Sequence, residues 1–181
     1  MDTNFIYHRN PMLVLSYISK FKGQNTEITA SKISNKLELS IGSVYEILKE
    51  FNDAGFVKGT KIGRTTIYEP VRSNPVIKQF RIFDNLLFLT NLIEQLKGIT
   101  RKIILFGSCS RGDDTIESDI DLFLLADEDI QSNVRGIISN YPGEREIKPV
   151  IVDSMELIDM QNNDQVFYEE IQKGFVLWGE E

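Results

Sequence analysis

Two short apolar runs, Arg101–Phe106 (RKIILF) and Asp121–Asp127 (DLFLLAD), constrain this chain more than any other feature. Runs of that length, bounded by turn residues, are buried strands. Gly107 and Ser108 follow the first run directly, where the strand passes into a short helix within SCSRGDD. Backbone N–H groups exposed at such a turn, beside a small hydroxyl, suit phosphate oxygens. Asp119 and Asp121 stand two apart at the start of the second run, so they project from one face of a strand. Carboxylates that close repel each other unless a cation lies between them, and hard oxygen ligands suit Mg²⁺ or Mn²⁺. The segment predicts a metal–nucleotide site.

With 181 residues, 41% of them hydrophobic, the chain can bury one ordinary core or two small ones. No apolar run reaches the roughly 18 residues of a membrane span, and the start, MDTNFIYHRNP, lacks the basic-then-apolar layout of a secretion signal. The expectation is a cytoplasmic protein with no membrane contact. A single cysteine, Cys109, excludes an internal disulfide framework. The lone His8 has no neighbouring ligand types and reads as a surface or packing residue.

The net charge of −7 is unevenly spread. Residues 1–74 carry 10 Lys+Arg against 7 Asp+Glu, a balance of +3, and residues 75–181 carry 10 against 20, a balance of −10. Such asymmetry predicts two units with different partners. Pro70 and Pro75 mark the break, and Pro75 stands at the first position of a helix. From there Val76, Phe80, Phe83, Leu87 and Ile93 recur at roughly helical spacing up to Gly98. The expected organisation is a first domain over 1–74, a connecting helix over 75–98 whose apolar face packs on a domain or on a second copy, and a second domain over 99–181.

In the first domain PMLVLSYISKF reads as a helix with Leu13, Val14, Tyr17 and Ile18 inward, and EIT (27–29) as a short strand. Ser31 caps or opens a second helix and Ser40 caps a third. FVKGTKI and TTIYEP then form a hairpin joined at Gly63-Arg64. Through SIGSVYEILKEFNDAGFVKG and GTKIGRTTIYEP this segment resembles the winged helix-turn-helix family. The resemblance implies DNA binding, with the helix after Ser40 in the major groove and the wing on the backbone. Val44, Leu48 and Phe51 would face inward, leaving Ser43, Tyr45 and Lys49 to DNA, with Lys61 and Arg64 on the wing. Glu46 and Glu50 would repel phosphates, so a protein-docking or dimerisation role stays open beside DNA binding.

In the second domain ten residues separate Ser108 from Asp119. Gly-Ser, ten residues, Asp-any-Asp, with Arg111-Gly112 and Ser118–Leu122 (SDIDL), resembles the DNA polymerase β-like nucleotidyltransferases, in particular their minimal members. The resemblance implies an α/β domain with a mixed sheet that moves a nucleoside monophosphate from a triphosphate, ATP or another NTP, to a hydroxyl. Asp119 and Asp121 would hold the metal, and Gly107, Ser108, Arg111 and Ser118 the nucleotide. Family members take a third carboxylate from a later strand, but IKPVIVD carries Lys148 at that position. Glu146, two residues earlier on the same face, is the candidate substitute for the third catalytic carboxylate. Pro149 implies an edge strand or a bulge. DEDIQSNVRGIISNY and NNDQVFYEEIQKG read as helices and FVLW as a last strand, with Trp178 in a packing role.

Two functional readings follow. One is a DNA-binding nucleotidyltransferase, a homodimer resembling an antitoxin that attaches AMP to a partner toxin of the HEPN type and represses its own operon. The other is a winged-helix regulator whose transferase domain senses nucleotide or mediates dimerisation.

Overall fold

The computed structural model describes residues 3–21, 27–143 and 145–179. The chain divides into two compact units, Met1–Arg81 and Ile82–Glu181. In the first, a 3-10 turn over Thr3–Tyr7 precedes α1 (Arg9–Ser19), α2 (Ala30–Leu37) and α3 (Ile41–Asp53), then β1 (Val57–Ile62) and β2 (Thr65–Pro70). The strands pair antiparallel with Ile62 opposite Thr65, and Gly63 takes φ 61° at the first turn position. That conformation is open to glycine, and it tightens the hairpin.

Ser40 caps α3 as expected, its hydroxyl accepting from the Ser43 N–H at 3.1 Å. α2 opens earlier than expected. Thr29 is its cap, with the hydroxyl accepting from the Lys32 N–H at 3.3 Å, and Ser31 lies inside the helix. Residues 27–29 form no strand; the Ile28 carbonyl accepts one bond from the Tyr68 N–H at 2.8 Å. On α1, Pro11, Val14, Leu15 and Ile18 are buried while Leu13 is exposed. The run LVL offers two adjacent stripes at helical spacing, and the helix buries the one through Leu15. Val44, Leu48 and Phe51 are fully buried as expected.

α4 (Pro75–Leu96) corrects the expected apolar face. Val76, Phe83 and Leu87 are exposed, whereas Ile77 joins the first core and Leu89, Leu92 and Leu96 join the second. Apolar residues ring nearly the whole helix, so periodicity could not choose among its stripes. The boundary between the units falls inside α4, at Arg81/Ile82.

The second unit is built on a four-stranded sheet, β5-β4-β3-β6. β3 (Lys102–Phe106) leads into the one-turn helix α5 (Gly107–Arg111), then β4 (Ile120–Leu125) and α6 (Glu128–Ser139). β5 (Ile147–Val152), α7 (Ser154–Asn163), α8 (Gln165–Gln172) and β6 (Phe175–Gly179) complete it. β3 runs antiparallel to β4 and β6, and β4 parallel to β5. Pro149 sits in the edge strand β5, opposite Leu122, with no bulge against β4.

Alternation sorts the strands onto two cores. Ile103, Leu105, Ile120, Leu122, Leu124 and Ile151 pack in a cluster with Leu89, Leu92 and Leu96 of α4 and Val134 and Ile138 of α6. Ile104, Phe106, Phe123 and Val152 pack in another with Leu157 and Met160 of α7 and Phe167 and Ile171 of α8. Helix α7 was not foreseen, although its signal is in the sequence. Asp153 and Glu156 form a capping box, the Asp153 carboxylate accepting from the Glu156 N–H and the Glu156 carboxylate from the Asp153 N–H. Trp178 packs against the sheet and donates its indole N–H to the Thr100 carbonyl at 3.2 Å.

Candidate functional site

The site begins where β3 ends. Gly107 takes φ 68°, and a methyl group there would run into Oδ2 of Asp121, so both the turn and the carboxylate require glycine. α5 lasts one turn because Gly112, at φ 66°, turns its N–H back to the Ser108 carbonyl. The Asp113 N–H reaches the same carbonyl at 3.0 Å. The next loop is closed by Ser118, whose hydroxyl accepts from the Thr115 N–H at 2.9 Å. Ser118 was expected to contact nucleotide; its hydroxyl is engaged on this loop.

Asp121 belongs to β4 and pairs with Phe106, so it faces the side of the sheet that carries Phe123. By alternation Asp119 projects on the same side. The parallel register sets Lys148 beside Asp121, and the Ile120 N–H donates to the Glu146 carbonyl at 2.9 Å. Asp119, Asp121, Glu146 and Lys148 therefore share one face. Lys148 Nζ lies 2.6 Å from Asp119 Oδ2. Glu146 is exposed, and among the described residues no three acidic, histidine or cysteine side chains group closely enough to hold an ion. Glu146 does not complete a three-carboxylate cluster; Lys148 stands on Asp119 in its place.

The electrostatics follow from this crowding. Burial, and then the neighbouring Asp119 charge, push the Asp121 carboxyl above its ordinary value, while Lys148, Arg111 and Arg145 pull it back. The hydrogen bond to Asp119, then its charge, raise the Lys148 ammonium. Arg111 reaches Glu170 of α8 in an ion pair and lies 3.8 Å from Asp113, which keeps its guanidinium near the carboxylates.

Behind this face lies a second set of residues that the sequence did not single out. Arg145, nearly buried, donates from Nε to the Ser118 carbonyl at 2.9 Å, from Nη1 to Asn85 Oδ1 at 2.9 Å and from Nη2 to Cys109 Sγ at 2.9 Å. Its Nη1 also lies 3.1 Å from Oδ2 of the fully buried Asp114. Asn85 donates to the Cys109 carbonyl at 3.2 Å, and the Cys109 thiol to the Asp119 carbonyl at 3.3 Å. Burial pushes that thiol up, so Cys109 is a packing residue of the clamp. One guanidinium thus ties α4, α5 and the main chain at Ser118–Asp119 together. A lone arginine in REIK carries no sequence signal for that role.

In the first unit Tyr45, Lys49, Lys61 and Arg64 are exposed and Ser43 is half-buried beside its cap. Ser43 lines an open depression of about 620 Å³ with Glu46, Ile47, Glu50, His8 and Arg9. Glu46 and Glu50 are exposed on the same helix, so its polar face is mixed in charge. Among the described residues no helix is long and apolar enough to cross a membrane.

These geometries agree with comparisons to known proteins. Residues 89–181 match the family described as "Polymerase beta, Nucleotidyltransferase", and residues 24–74 match "Sugar-specific transcriptional regulator TrmB". The chain belongs to the polymerase β-type nucleotidyltransferase family, and the segment ahead of that domain is similar to TrmB-type regulators. A relative named "Putative protein adenylyltransferase MJ0604", from Methanocaldococcus jannaschii, is 33% identical over 100 residues, covering 50% of this chain and 91% of that protein. A Sulfolobus solfataricus crystal structure described as a putative nucleotidyltransferase overlaps 57% of this chain and 87% of its own, at 17% identity and a TM-score of 0.39. The archaeal chromatin protein TrmBL2 overlaps 94% of this chain and 75% of its own, at 15% identity and a TM-score of 0.34. Overlaps that loose carry no weight for function.

Proposed function

We propose that the second unit attaches AMP from ATP to a hydroxyl of a partner protein, a small toxin of the HEPN type, and that the first unit, as a homodimer, binds DNA upstream of its own operon. The observation that carries the transfer reading is the pair Asp119 and Asp121 at the start of β4, with Asp121 set against the glycine turn that opens α5. The acceptor hydroxyl oxygen forms a bond to the α-phosphorus, the bond from that phosphorus to the bridging oxygen of the β-phosphate breaks, and pyrophosphate leaves. The hydroxyl proton passes to Glu146, an exposed carboxylate on the same face. Gly107 and Ser108 bring main-chain N–H groups to the outer phosphates, and Arg111 offsets charge building on the leaving oxygens. The two aspartates fit a hard divalent cation, and Mg²⁺ or Mn²⁺ held there would neutralise triphosphate charge and polarise the reacting phosphoryl group.

The alternative, a regulator that binds nucleotide without transferring it, draws on the ion pair between Lys148 and Asp119, which occupies one of the two aspartates. Full-length protein incubated with Mg²⁺, ATP labelled at the α-phosphate and candidate acceptor proteins separates the two. Label on a protein acceptor, lost with Asp119→Asn, supports transfer; bound but uncleaved ATP supports the regulator. The same preparation tests DNA, because removing charge at Lys61 and Arg64 together should weaken binding to all sequences alike and flatten its salt dependence.

A further inference from the structure

Metal-assisted phosphoryl chemistry commonly uses two divalent ions about 3.5–4 Å apart, bridged by shared carboxylates. The charges and contacts of this site do not suit that arrangement. Its acidic ligands are Asp119 and Asp121, with no third carboxylate grouped with them among the described residues. One oxygen of Asp119 already meets an ammonium at 2.6 Å. That ammonium is not a chance visitor. β-Sheet register fixes the backbone of Lys148 directly beside Asp121 and on its face, so the ammonium is tethered within reach of both aspartates.

A simple charge count points the same way. Two aspartates, one lysine and two divalent ions leave three net positive charges before any nucleotide arrives. The same residues with a single divalent ion leave one. A tethered ammonium has a fixed local concentration and cannot diffuse away, whereas a second ion would have to enter against both Lys148 and the first ion. Asp121, set against Gly107 and carrying no ion pair to Lys148, is the carboxylate left to anchor the ion.

We propose that this chain holds one divalent ion, anchored on Asp121, and that the Lys148 ammonium takes the place of the second. The inference rests on the reading of this face as a metal–nucleotide site and not on transfer itself. Asp119 then serves chiefly to position the ammonium, and Lys148 offers a phosphate-facing cation whose charge does not depend on metal supply.

The test counts ions directly. Full-length protein is saturated with a triphosphate whose α–β bridge is a methylene group, so that no cleavage occurs, and titrated with Mn²⁺. Free and bound ion are separated by electron paramagnetic resonance. The expected result is one bound Mn²⁺ per nucleotide-loaded chain, and two for Lys148→Asp, which removes the ammonium and restores a carboxylate. Lys148→Gln, which removes the charge without adding a ligand, should keep the count at one. Two ions in the wild type, none in the wild type, or an unchanged count of one in Lys148→Asp would each overturn the proposal. Lys148 is largely exposed, so none of these variants threatens the fold. A count of one with no transfer to any acceptor would defeat the transferase reading and leave this inference standing.

Discussion

The two sides of the β4 strand start are built on opposite terms. The front carries Asp119, Asp121 and Lys148, which are partly exposed and, in the case of the two aspartates, mutually repelling. The back carries Arg145, Asn85, Asp114 and Cys109, which are buried or nearly so and joined to each other and to the main chain by hydrogen bonds and, at Asp114, an ion pair. Removing a back residue takes hydrogen-bond or ion-pair partners from buried polar groups, whereas removing either front aspartate relieves repulsion. Buried support and exposed charge are thus carried by different residues only a strand's thickness apart. The front holds charges that a relaxed fold would not choose, and the back keeps them in register.

The sharpest way to break this comparison is Arg145→Ala. It takes the guanidinium away from the buried Asp114 carboxylate and removes the bonds to the Ser118 carbonyl and Asn85. Breaking a buried ion pair from one side typically costs about 3–5 kcal/mol. For a chain of this size that lowers the melting temperature by about 6–20 °C, read by calorimetry as a loss in the transition that unfolds the second unit. A drop of a degree or two would mean the clamp is decorative. Arg145→Lys should recover little, because an ammonium cannot reach three partners in the geometry of a guanidinium fork.

Gly107→Ala probes the seam between the two sides and should cost less, about 1–3 kcal/mol, since the left-handed turn resists a side chain. Its functional effect should exceed its structural one. The new methyl group pushes the Asp121 carboxylate out of place, so metal-dependent nucleotide affinity should fall at least tenfold at a temperature where the variant remains folded. The expected loss of stability with nucleotide affinity unchanged from wild type would show that the carboxylate simply swings aside.

The front was legible in the sequence and the back was not, for a physical reason. Gly107, Asp119 and Asp121 are spaced by chain geometry: a turn needs glycine, and alternation puts two carboxylates on one face. The strands, the caps at Ser40 and the hairpin at Gly63-Arg64 are local in the same sense. Arg145 acts on Asn85, Cys109 and Asp114, partners as far as 60 positions away, and nothing in their spacing announces it. The stripe misread on α4 and the residue misplaced on α1 share that origin, because neighbouring apolar stripes are equivalent until a tertiary partner selects one. α7 is different: Asp153 and Glu156 announce its start locally, and that capping box was readable.

The smallest effect, and the most diagnostic of sign, is expected from Asp121→Asn. Burial and Asp119 hold the folded-state pKa of Asp121 above its ordinary value. A carboxyl raised in the folded state contributes stability that is fully present below the unfolded pKa of about 3.9 and is lost as pH rises through the folded value. At neutral pH the ionised Asp121 is therefore a small liability to the fold, reduced by the partial solvent screening of the site. Asparagine keeps the shape and removes the charge, so the variant should melt about 1–2 °C higher than wild type at pH 7. The difference should shrink as pH falls and vanish below about pH 4, where both side chains are neutral. Melting curves of the two proteins across that range decide the matter. A variant less stable than wild type at pH 7 would mean that Lys148 and Arg111 outweigh Asp119 and burial, and the front would then be a stabilising ion cluster and not a strained binding face.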